Sequence, residues 1–218
     1  MQHSDLEDVV GSQNSLICIL TSADISFQRE ERFDEYRNGI SSALEYLPGL
    51  QVEFLETRRY RNSILESLGV VNYSHTHLPL IRNKGVLWVL ALRWYLKSLR
   101  KINSPVTHLV IMTGRYSLKS KHFINQISIG MESDFIGKKL GSGNQVNTGL
   151  FFISRSLLDE WIGSFSYLKS EIYSISVETS LMRFLTMKKQ SGSEVIFLEK
   201  MDLFMPIFGK GKREFRIE

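Results

Sequence analysis

Cysteine and long apolar runs are scarce in this chain, and each scarcity excludes a class of protein. Among the 218 residues there is one cysteine, Cys18, which excludes a disulfide framework within the chain and fits a reducing compartment. Its position in an apolar run predicts a small buried side chain rather than a nucleophile. The longest apolar run, residues 86–92, ends at Arg93 and is too short to span a bilayer. Residues 1–8 are polar and acidic, unlike a signal peptide. The sequence therefore predicts a cytoplasmic protein, with peripheral contact to a membrane as an option.

An excess of either charge is also lacking. Lys and Arg number 27 against 23 Asp and Glu, which leaves a net charge of +4. This value is too small to indicate nucleic acid as a partner, and no basic-plus-aromatic RNA motif is present. It suits an anionic small ligand or an anionic membrane surface. No internal repeat or low-complexity tract is visible, and the length fits one well-buried domain.

Apolar periodicity predicts alternating strands and helices. Strands are expected at 15–20, 51–55, 108–112, 149–153 and 194–198, and helices at 29–47, 58–68, 86–99, 120–127, 154–165 and 177–188. Residues 72–82 and 130–143 are interpreted as loops, the second as a candidate active-site loop. This alternation predicts a three-layer α/β/α, Rossmann-like single domain with a mixed central sheet over residues 15–208. Residues 1–14 are expected to form a flexible lead-in, and residues 209–218 a basic, mobile tail that could touch a membrane.

The end of the strand at 108–112 carries the most informative motif. Thr113, Gly114, Arg115 and Tyr116 follow the apolar run, with the glycine interpreted as permitting a tight bend. In open α/β sheets, ligands bind outside the carboxyl ends of the strands, and an arginine there is a ready partner for a phosphate or a carboxylate. Upstream, the sequence Arg-Asn-Lys-Gly at 82–85 opens the long helix that leads to this strand.

This order of motifs resembles small nucleotide-sugar-dependent glycosyltransferases of the GT-A type, over roughly residues 16–208. The resemblance implies a hexosyltransferase-like enzyme of polysaccharide biosynthesis, which moves a sugar from a nucleoside diphosphate sugar to a hydroxyl of a glycan or lipid-linked acceptor. The strand of that fold ordinarily ends in Asp-X-Asp, whose carboxylates hold a divalent cation. Some bacterial and viral members carry a sequence similar to Thr-Gly-Arg-Tyr instead. No carboxylate occurs here from 109 to 129, so we expect the metal site to be absent or rebuilt elsewhere. The sequence leaves open whether Mn²⁺ or Mg²⁺ is a cofactor.

The resemblance also implies roles for particular residues. The nucleotide and its diphosphate would be held at the strand ends and at the start of the long helix, by Thr21, Ser22, Asp24, Glu56, Asn83, Lys84, Thr113, Gly114, Arg115 and Tyr116. The sugar and acceptor pocket would contain Asp134, Asn147 and Thr148, and the general base of an inverting reaction would be Glu178. Each role has a structural alternative. Glutamate is favourable in the first turn of any helix, and Arg115 could simply pair with Asp134.

Two other hypotheses follow from the same residues. His75 and His77 are reserve candidates for the base, because metal-independent sialyltransferases use a histidine. The missing Asp-X-Asp also suits a non-catalytic module that keeps the fold and binds a carbohydrate or another partner.

Overall fold

The computed structural model describes residues 16–22, 30–58, 70–76, 83–166, 176–208 and 213–217. The described strands are β1 (Leu16–Ser22), β2 (Gln51–Arg58), β3 (Val71–Thr76), β4 (His108–Thr113), β5 (Ser117–Leu118), β6 (Phe135–Gly137), β7 (Lys139–Leu140), β8 (Gln145–Val146), β9 (Leu150–Ser154), β10 (Val195–Phe197), β11 (Leu203–Phe208) and β12 (Arg213–Ile217). The described helices are α1 (Glu30–Tyr46), α2 (Lys84–Lys101), α3 (His122–Ile129), α4 (Arg155–Ser164) and α5 (Val177–Gln190).

A seven-stranded sheet forms the centre of the molecule, in the order β10-β6-β9-β4-β1-β2-β3. Its strands run parallel except β9, which is antiparallel to both of its neighbours. The four inner residues of β4 are buried, which explains the continuous apolar run of a strand covered on both faces. Two small sheets, β12-β11-β5 and β7-β8, flank the central one.

Helices cover both faces of the sheet and enclose two apolar cores. On one face, α2, α4 and α5 pack against residues such as Ile19 and Ile111. On the other face, α1 and α3 pack against residues such as Leu20 and Met112. Adjacent residues of one strand thus enter opposite cores, as the two-residue period of a strand requires. This arrangement confirms the predicted three-layer α/β/α class with a mixed sheet. Cys18 is fully buried, and burial raises its pKa to about 12, as expected of a small apolar side chain rather than a nucleophile.

Three predicted loops or tails contain strands instead. Part of the loop expected at 72–82 is β3, which pairs in parallel with β2. The expected active-site loop at 130–143 contains β6, whose Phe135 and Ile136 are buried in the central sheet. The basic tail contains β12, which pairs with β11 and satisfies the backbone groups of that strand. Strand β6 has only three residues, and both of its partners, β9 and β10, come later in the chain.

The remaining predicted strands and helices are either present or fall on residues that the structure does not describe. The other predicted strands are present, as are the predicted helices apart from 58–68. Residues 1–15 and the predicted helix at 58–68, apart from Arg58, which ends β2, lie outside the described residues. No described helix is both long and apolar enough to cross a membrane.

Candidate functional site

The carboxyl ends of the parallel strands meet at one edge of the sheet, which we call the carboxyl edge. Thr21 near the end of β1 lies beside Thr113 at the end of β4. The Gly114 amide donates to the Thr21 carbonyl at 2.8 Å, and the Thr113 amide donates to the Gly149 carbonyl at 2.8 Å. The antiparallel strand β9 therefore begins where β4 ends, and residues 147–149 lie next to the Thr-Gly-Arg-Tyr turn.

The turn at 113–116 is held by close packing around its glycine. Its backbone closes with a hydrogen bond of 2.9 Å from the Tyr116 amide to the Thr113 carbonyl. Gly114 does not adopt a positive φ. A Cβ atom there would lie 2.8 Å from Phe54 Cε2. The sequence analysis explained this glycine by a tight bend, whereas the structure shows that it is needed for close contact with β2.

The side chains of Tyr116 and Arg115 both lie beside the turn. A Cβ atom at Gly149 would lie 2.2 Å from Tyr116 Cε2, so the phenol ring packs directly on the start of β9. The Arg115 guanidinium carbon lies 5.5 Å from the centre of the Tyr116 ring, a cation–π distance. Arg115 is half-buried, and it keeps a cation at the carboxyl edge.

A carboxylate reaches the same edge from helix α5. Ser176 caps this helix by accepting from the Thr179 amide at 3.2 Å, which places Glu178 in the first turn. The positive end of the helix dipole favours the charged carboxylate there. The Thr148 hydroxyl donates to Glu178 Oε1 at 3.1 Å, in a partly buried setting. The sequence assigned these two residues to the pocket and to the base, and the structure brings them into contact.

The start of helix α2 completes the edge. The side-chain oxygen of Asn83 accepts from the amides of Gly85 at 2.9 Å and Val86 at 3.3 Å, which makes this asparagine the N-cap rather than a free ligand contact. A Cβ atom at Gly85 would lie 2.5 Å from Val177 Cγ2, so the first turns of α2 and α5 touch. Lys84 is exposed in the first turn of α2, which contains no acidic residue.

Thr21 has a different role from the one expected. Its hydroxyl accepts from Trp88 Nε1 at 3.0 Å and donates to the Met112 carbonyl at 3.4 Å, and the residue is buried. These bonds tie β1 to α2 and β4, so the hydroxyl supports the edge from inside. The side chain of Ser22 and the whole of Asp24 lie outside the described part of the chain.

Glu56 was expected to follow β2, but it is the sixth residue of that eight-residue strand. Its side chain is fully enclosed, with an exposed fraction of 0%. The strand continues through Thr57 and Arg58, which carries the backbone past the position expected for the turn. A ribose outside the carboxyl edge cannot reach the enclosed carboxylate of Glu56 without movement of the protein, so this residue does not contribute to a site there.

Asp134 lies at the opposite edge of the sheet. Its carboxylate accepts from the Ser154 hydroxyl at 3.3 Å and from the Glu194 amide at 3.2 Å. Ser154 pairs with His108, the first residue of β4, whereas the expected site is at the last residue. Asp134 therefore anchors the connection into β6. It neither joins the acceptor pocket nor meets Arg115.

Asn147 is structural, and its contacts position its neighbour. Its side-chain oxygen accepts from the Gly149 backbone amide at 2.8 Å, and its own backbone amide donates to the Lys138 carbonyl at 2.7 Å. These bonds fix the turn that presents Thr148. His75 lies in β3 opposite Thr57, while its side chain and all of His77 lie outside the described residues.

Sequence reasoning missed two contributors to the edge. Trp88 supports Thr21 across the sequence, and no local pattern indicates such a contact. Gly39 lies inside α1, where an added Cβ would come 1.9 Å from the Gly114 carbonyl oxygen. A glycine in the interior of a helix costs about 1 kcal/mol relative to alanine, which is a sequence signal for close packing.

The described residues at this edge do not fit a divalent cation. Mn²⁺ and Mg²⁺ prefer several oxygen ligands, usually including carboxylates. The end of β4 provides hydroxyl, backbone and guanidinium groups, and one described carboxylate, Glu178, reaches it from α5. No group of three or more His, Cys, Asp or Glu side chains suited to a metal occurs in the described ranges.

Comparison with known proteins identifies the fold. No protein-family model matches the sequence, and no curated protein matches it. The structure is similar to a cytidylyltransferase from Leptospira borgpetersenii serovar Hardjo-bovis, with a TM-score of 0.53 and 11% identity over 86% of this chain and 78% of that one. It is also similar to a 4-diphosphocytidyl-2C-methyl-D-erythritol synthase from Anaerococcus prevotii DSM 20548, with a TM-score of 0.55 and 9% identity over 88% of each chain.

A third similar structure is a provisionally assigned nucleotide-diphospho-sugar transferase from Desulfovibrio desulfuricans G20. Its TM-score is 0.52, with 10% identity over 84% of this chain and 79% of that one. At these identities the similarity concerns the fold alone. It confirms the GT-A-like, Rossmann-like class expected from the sequence.

Proposed function

We propose that the protein is a glycosyltransferase, which moves a sugar from a nucleoside diphosphate sugar to a hydroxyl of a glycan or lipid-linked acceptor. The observation that carries this proposal is the contact between Thr148 and Glu178 at the carboxyl edge, beside the touching first turns of α2 and α5. Open α/β sheets bind ligands at this edge, where Glu178, the N-termini of α2 and α5, Lys84 and Arg115 offer the groups that such a donor needs. The GT-A-like fold supports the same class of reaction.

The diphosphate of the donor is assigned to the positive side of this edge. Lys84 adds an exposed ammonium at the start of α2, and Arg115 adds a planar guanidinium on the turn after β4. The positive ends of the two helix dipoles favour an anion at the same place. Fixed cations stabilise the charge that grows on the leaving diphosphate, so this arrangement supplies what a metal supplies in Asp-X-Asp enzymes.

Glu178 is assigned as the general base of an inverting reaction. The Thr148 hydroxyl engages Oε1 and thereby orients the carboxylate, which leaves Oε2 to accept the proton of the acceptor hydroxyl. The acceptor oxygen forms a bond to the anomeric carbon while the bond from that carbon to the diphosphate oxygen breaks. The electron pair of the broken bond leaves with the nucleoside diphosphate.

Nucleotidyl transfer is the second candidate, because two of the similar structures are named for cytidylyl chemistry. That reaction attacks the α-phosphate of a nucleoside triphosphate and releases pyrophosphate. Triphosphates are commonly cradled by glycine-rich loops. Residues 23–29, which follow β1, contain no glycine and one arginine. This composition favours the diphosphate sugar as the donor.

A binding screen followed by turnover tests the proposal. Nucleoside diphosphate sugars that bind the folded state should raise the melting temperature, with or without Mn²⁺. With the donor that binds, Glu178→Gln should lower transfer by about 10²–10⁴-fold and keep the thermal shift. Glu132→Gln, an exposed glutamate between α3 and β6, is the matched control and should behave as wild type.

Three outcomes would redirect the assignment. Normal turnover in Glu178→Gln would remove it as the base and make His75 and His77 the next variants. Pyrophosphate release from CTP and a phosphorylated acceptor would indicate nucleotidyl transfer. Absence of any nucleotide-dependent thermal shift, hydrolysis or transfer would favour the non-catalytic module.

A further inference from the structure

Charge is distributed unequally across the two helical layers. The described helices α2, α4 and α5 together carry nine Lys or Arg and three Asp or Glu. On the other face of the sheet, α1 and α3 together carry two Lys or Arg and five Asp or Glu. The net charge of the whole chain, +4, conceals this polarity. One face of the protein is thus suited to an anionic surface, and the opposite face is not.

Helix α2 is the source of most of the asymmetry. Its 18 residues contain five cations and no acid. Arg100 and Lys101 lie in the last turn, where the helix dipole favours cations, and Arg100 pairs with Asp159 of α4 at 2.6 Å. Arg93 and Lys97 lie further inside the helix, where the dipole does not account for them.

The solvent-facing side of α2 combines these cations with apolar groups. Arg93, Lys97 and Lys101 are exposed at a spacing of four residues, which places them on one side of the helix. Neither Lys97 nor Lys101 takes part in an ion pair among the described residues. Leu90 and Trp94 lie on the same side, half-buried between the cations.

We propose that this side of α2, which we call the α2 face, docks the protein on an anionic membrane surface. Lys and Arg ammonium and guanidinium groups contact lipid phosphates, while half-buried leucine and tryptophan side chains suit the boundary between headgroups and acyl chains. The acid-rich helix α1 on the opposite face of the sheet points away from the membrane in this orientation. The inference concerns a surface outside the carboxyl edge and does not depend on the chemistry proposed there.

Sedimentation with lipid vesicles tests the α2 face without any substrate. Wild type should sediment with vesicles of phosphatidylcholine and phosphatidylglycerol, and far less with phosphatidylcholine alone. Each lysine near an anionic surface strengthens binding roughly fivefold, so Lys97→Gln/Lys101→Gln should bind about 25-fold more weakly. The control Lys119→Gln/Lys121→Gln removes the same charge from two exposed lysines outside α2 and should bind as wild type. Lys97→Arg/Lys101→Arg should also bind as wild type.

The proposal fails if wild type does not sediment with the anionic vesicles, or if the two Gln double variants lose binding equally. It also fails if wild type does not bind vesicles but binds soluble dextran sulfate through Lys97 and Lys101, because this result would indicate that the α2 face binds an anionic glycan. Loss of sugar transfer in solution would not bear on this result, since vesicle binding is measured directly. Circular dichroism of each variant checks that the helices are intact.

Discussion

Replacement of Gly39 by alanine should destabilise the protein, against the usual effect of this change in a helix. In an unobstructed helix interior, Gly→Ala stabilises by about 1 kcal/mol. In α1, the new Cβ would lie 1.9 Å from the Gly114 carbonyl oxygen and 2.8 Å from the Tyr116 carbonyl oxygen. Both obstacles are backbone atoms, so no side-chain rotation relieves the contact. The helix or the turn must move by roughly 1.5 Å to restore an ordinary van der Waals distance.

The expected magnitude follows from these two opposing terms. Overpacking costs typically about 1–3 kcal/mol, and a clash with backbone belongs at or above the upper end of that range. After the helical gain is subtracted, we expect a net loss of about 2 kcal/mol in the free energy of unfolding. For a protein of this size, that loss lowers Tm by about 4–8 °C. Because the displaced turn carries Arg115, the affinity for a nucleoside diphosphate should fall as well.

Urea unfolding of matched variants is the assay. Gly163 lies near the end of α4, and apart from its own helical turn nothing lies within 4 Å of an added Cβ, so Gly163→Ala should gain about 0.5–1 kcal/mol and keep its ligand affinity. The two variants are therefore expected to shift the urea midpoint in opposite directions. If Gly39→Ala is stabilised to the same extent as Gly163→Ala, the close contact between α1 and the turn is not real, and the argument for a rigid turn fails.

Three further predictions concern the site and the core. Arg115→Ala should weaken nucleoside diphosphate binding, measured by calorimetry, by about tenfold or more, because a charge-assisted hydrogen bond is lost. The control Arg183→Ala on α5 should bind as wild type, and equal affinities of the two variants would remove Arg115 from the site. Turnover should survive EDTA, and loss that Mn²⁺ restores would reveal a metal site outside the described residues. Burial raises the pKa of the Glu53 carboxyl, which accepts from Tyr95 at 2.5 Å, so its ionisation penalises the folded state increasingly as pH rises between the unfolded and folded pKa values. Urea unfolding should therefore show Glu53→Gln gaining stability relative to wild type as the pH rises above the ordinary pKa of a glutamate, about 4, and a difference independent of pH would contradict this cause.

Local patterns were sufficient to predict the elements that build the carboxyl edge. The apolar run of β4 and the helical period of α2 and α5 are long, and each ends or begins at a polar motif. Because parallel strands end at the same edge, the element order alone was enough to assign Thr113 and Lys84 to that edge. The resemblance assigned Thr148 to the sugar and acceptor pocket and Glu178 as the base, and a hydrogen bond joins the two side chains in the structure.

The errors arise where pairing across the chain decides the outcome. Strand β6 has three residues, too few for a period to be visible, and its insertion beside β9 carries Asp134 to the opposite edge. The parallel pairing of β2 with β1 extends to Glu56, so an acidic residue that follows an apolar run is enclosed instead of exposed. Neither contact is encoded within a window of local sequence.

The close contacts of glycine show that the carboxyl edge is built to hold one shape. In the described residues, an added Cβ would come closer than 3.0 Å to another atom at five glycines, and four of these lie at or against the carboxyl edge, at positions 39, 85, 114 and 149. Each brings two segments together at this edge: α1 against the turn, α2 against α5, the turn against β2, and β9 against Tyr116. At Gly39 the closest atoms belong to the backbone of the turn, and at the other three positions they belong to the side chains of Val177, Phe54 and Tyr116. Contacts this close limit how far the turn can move from the segments that pack on it. Because rigid placement lowers the cost of organising charge around a reacting group, this packing supports the proposal that a diphosphate binds at this edge.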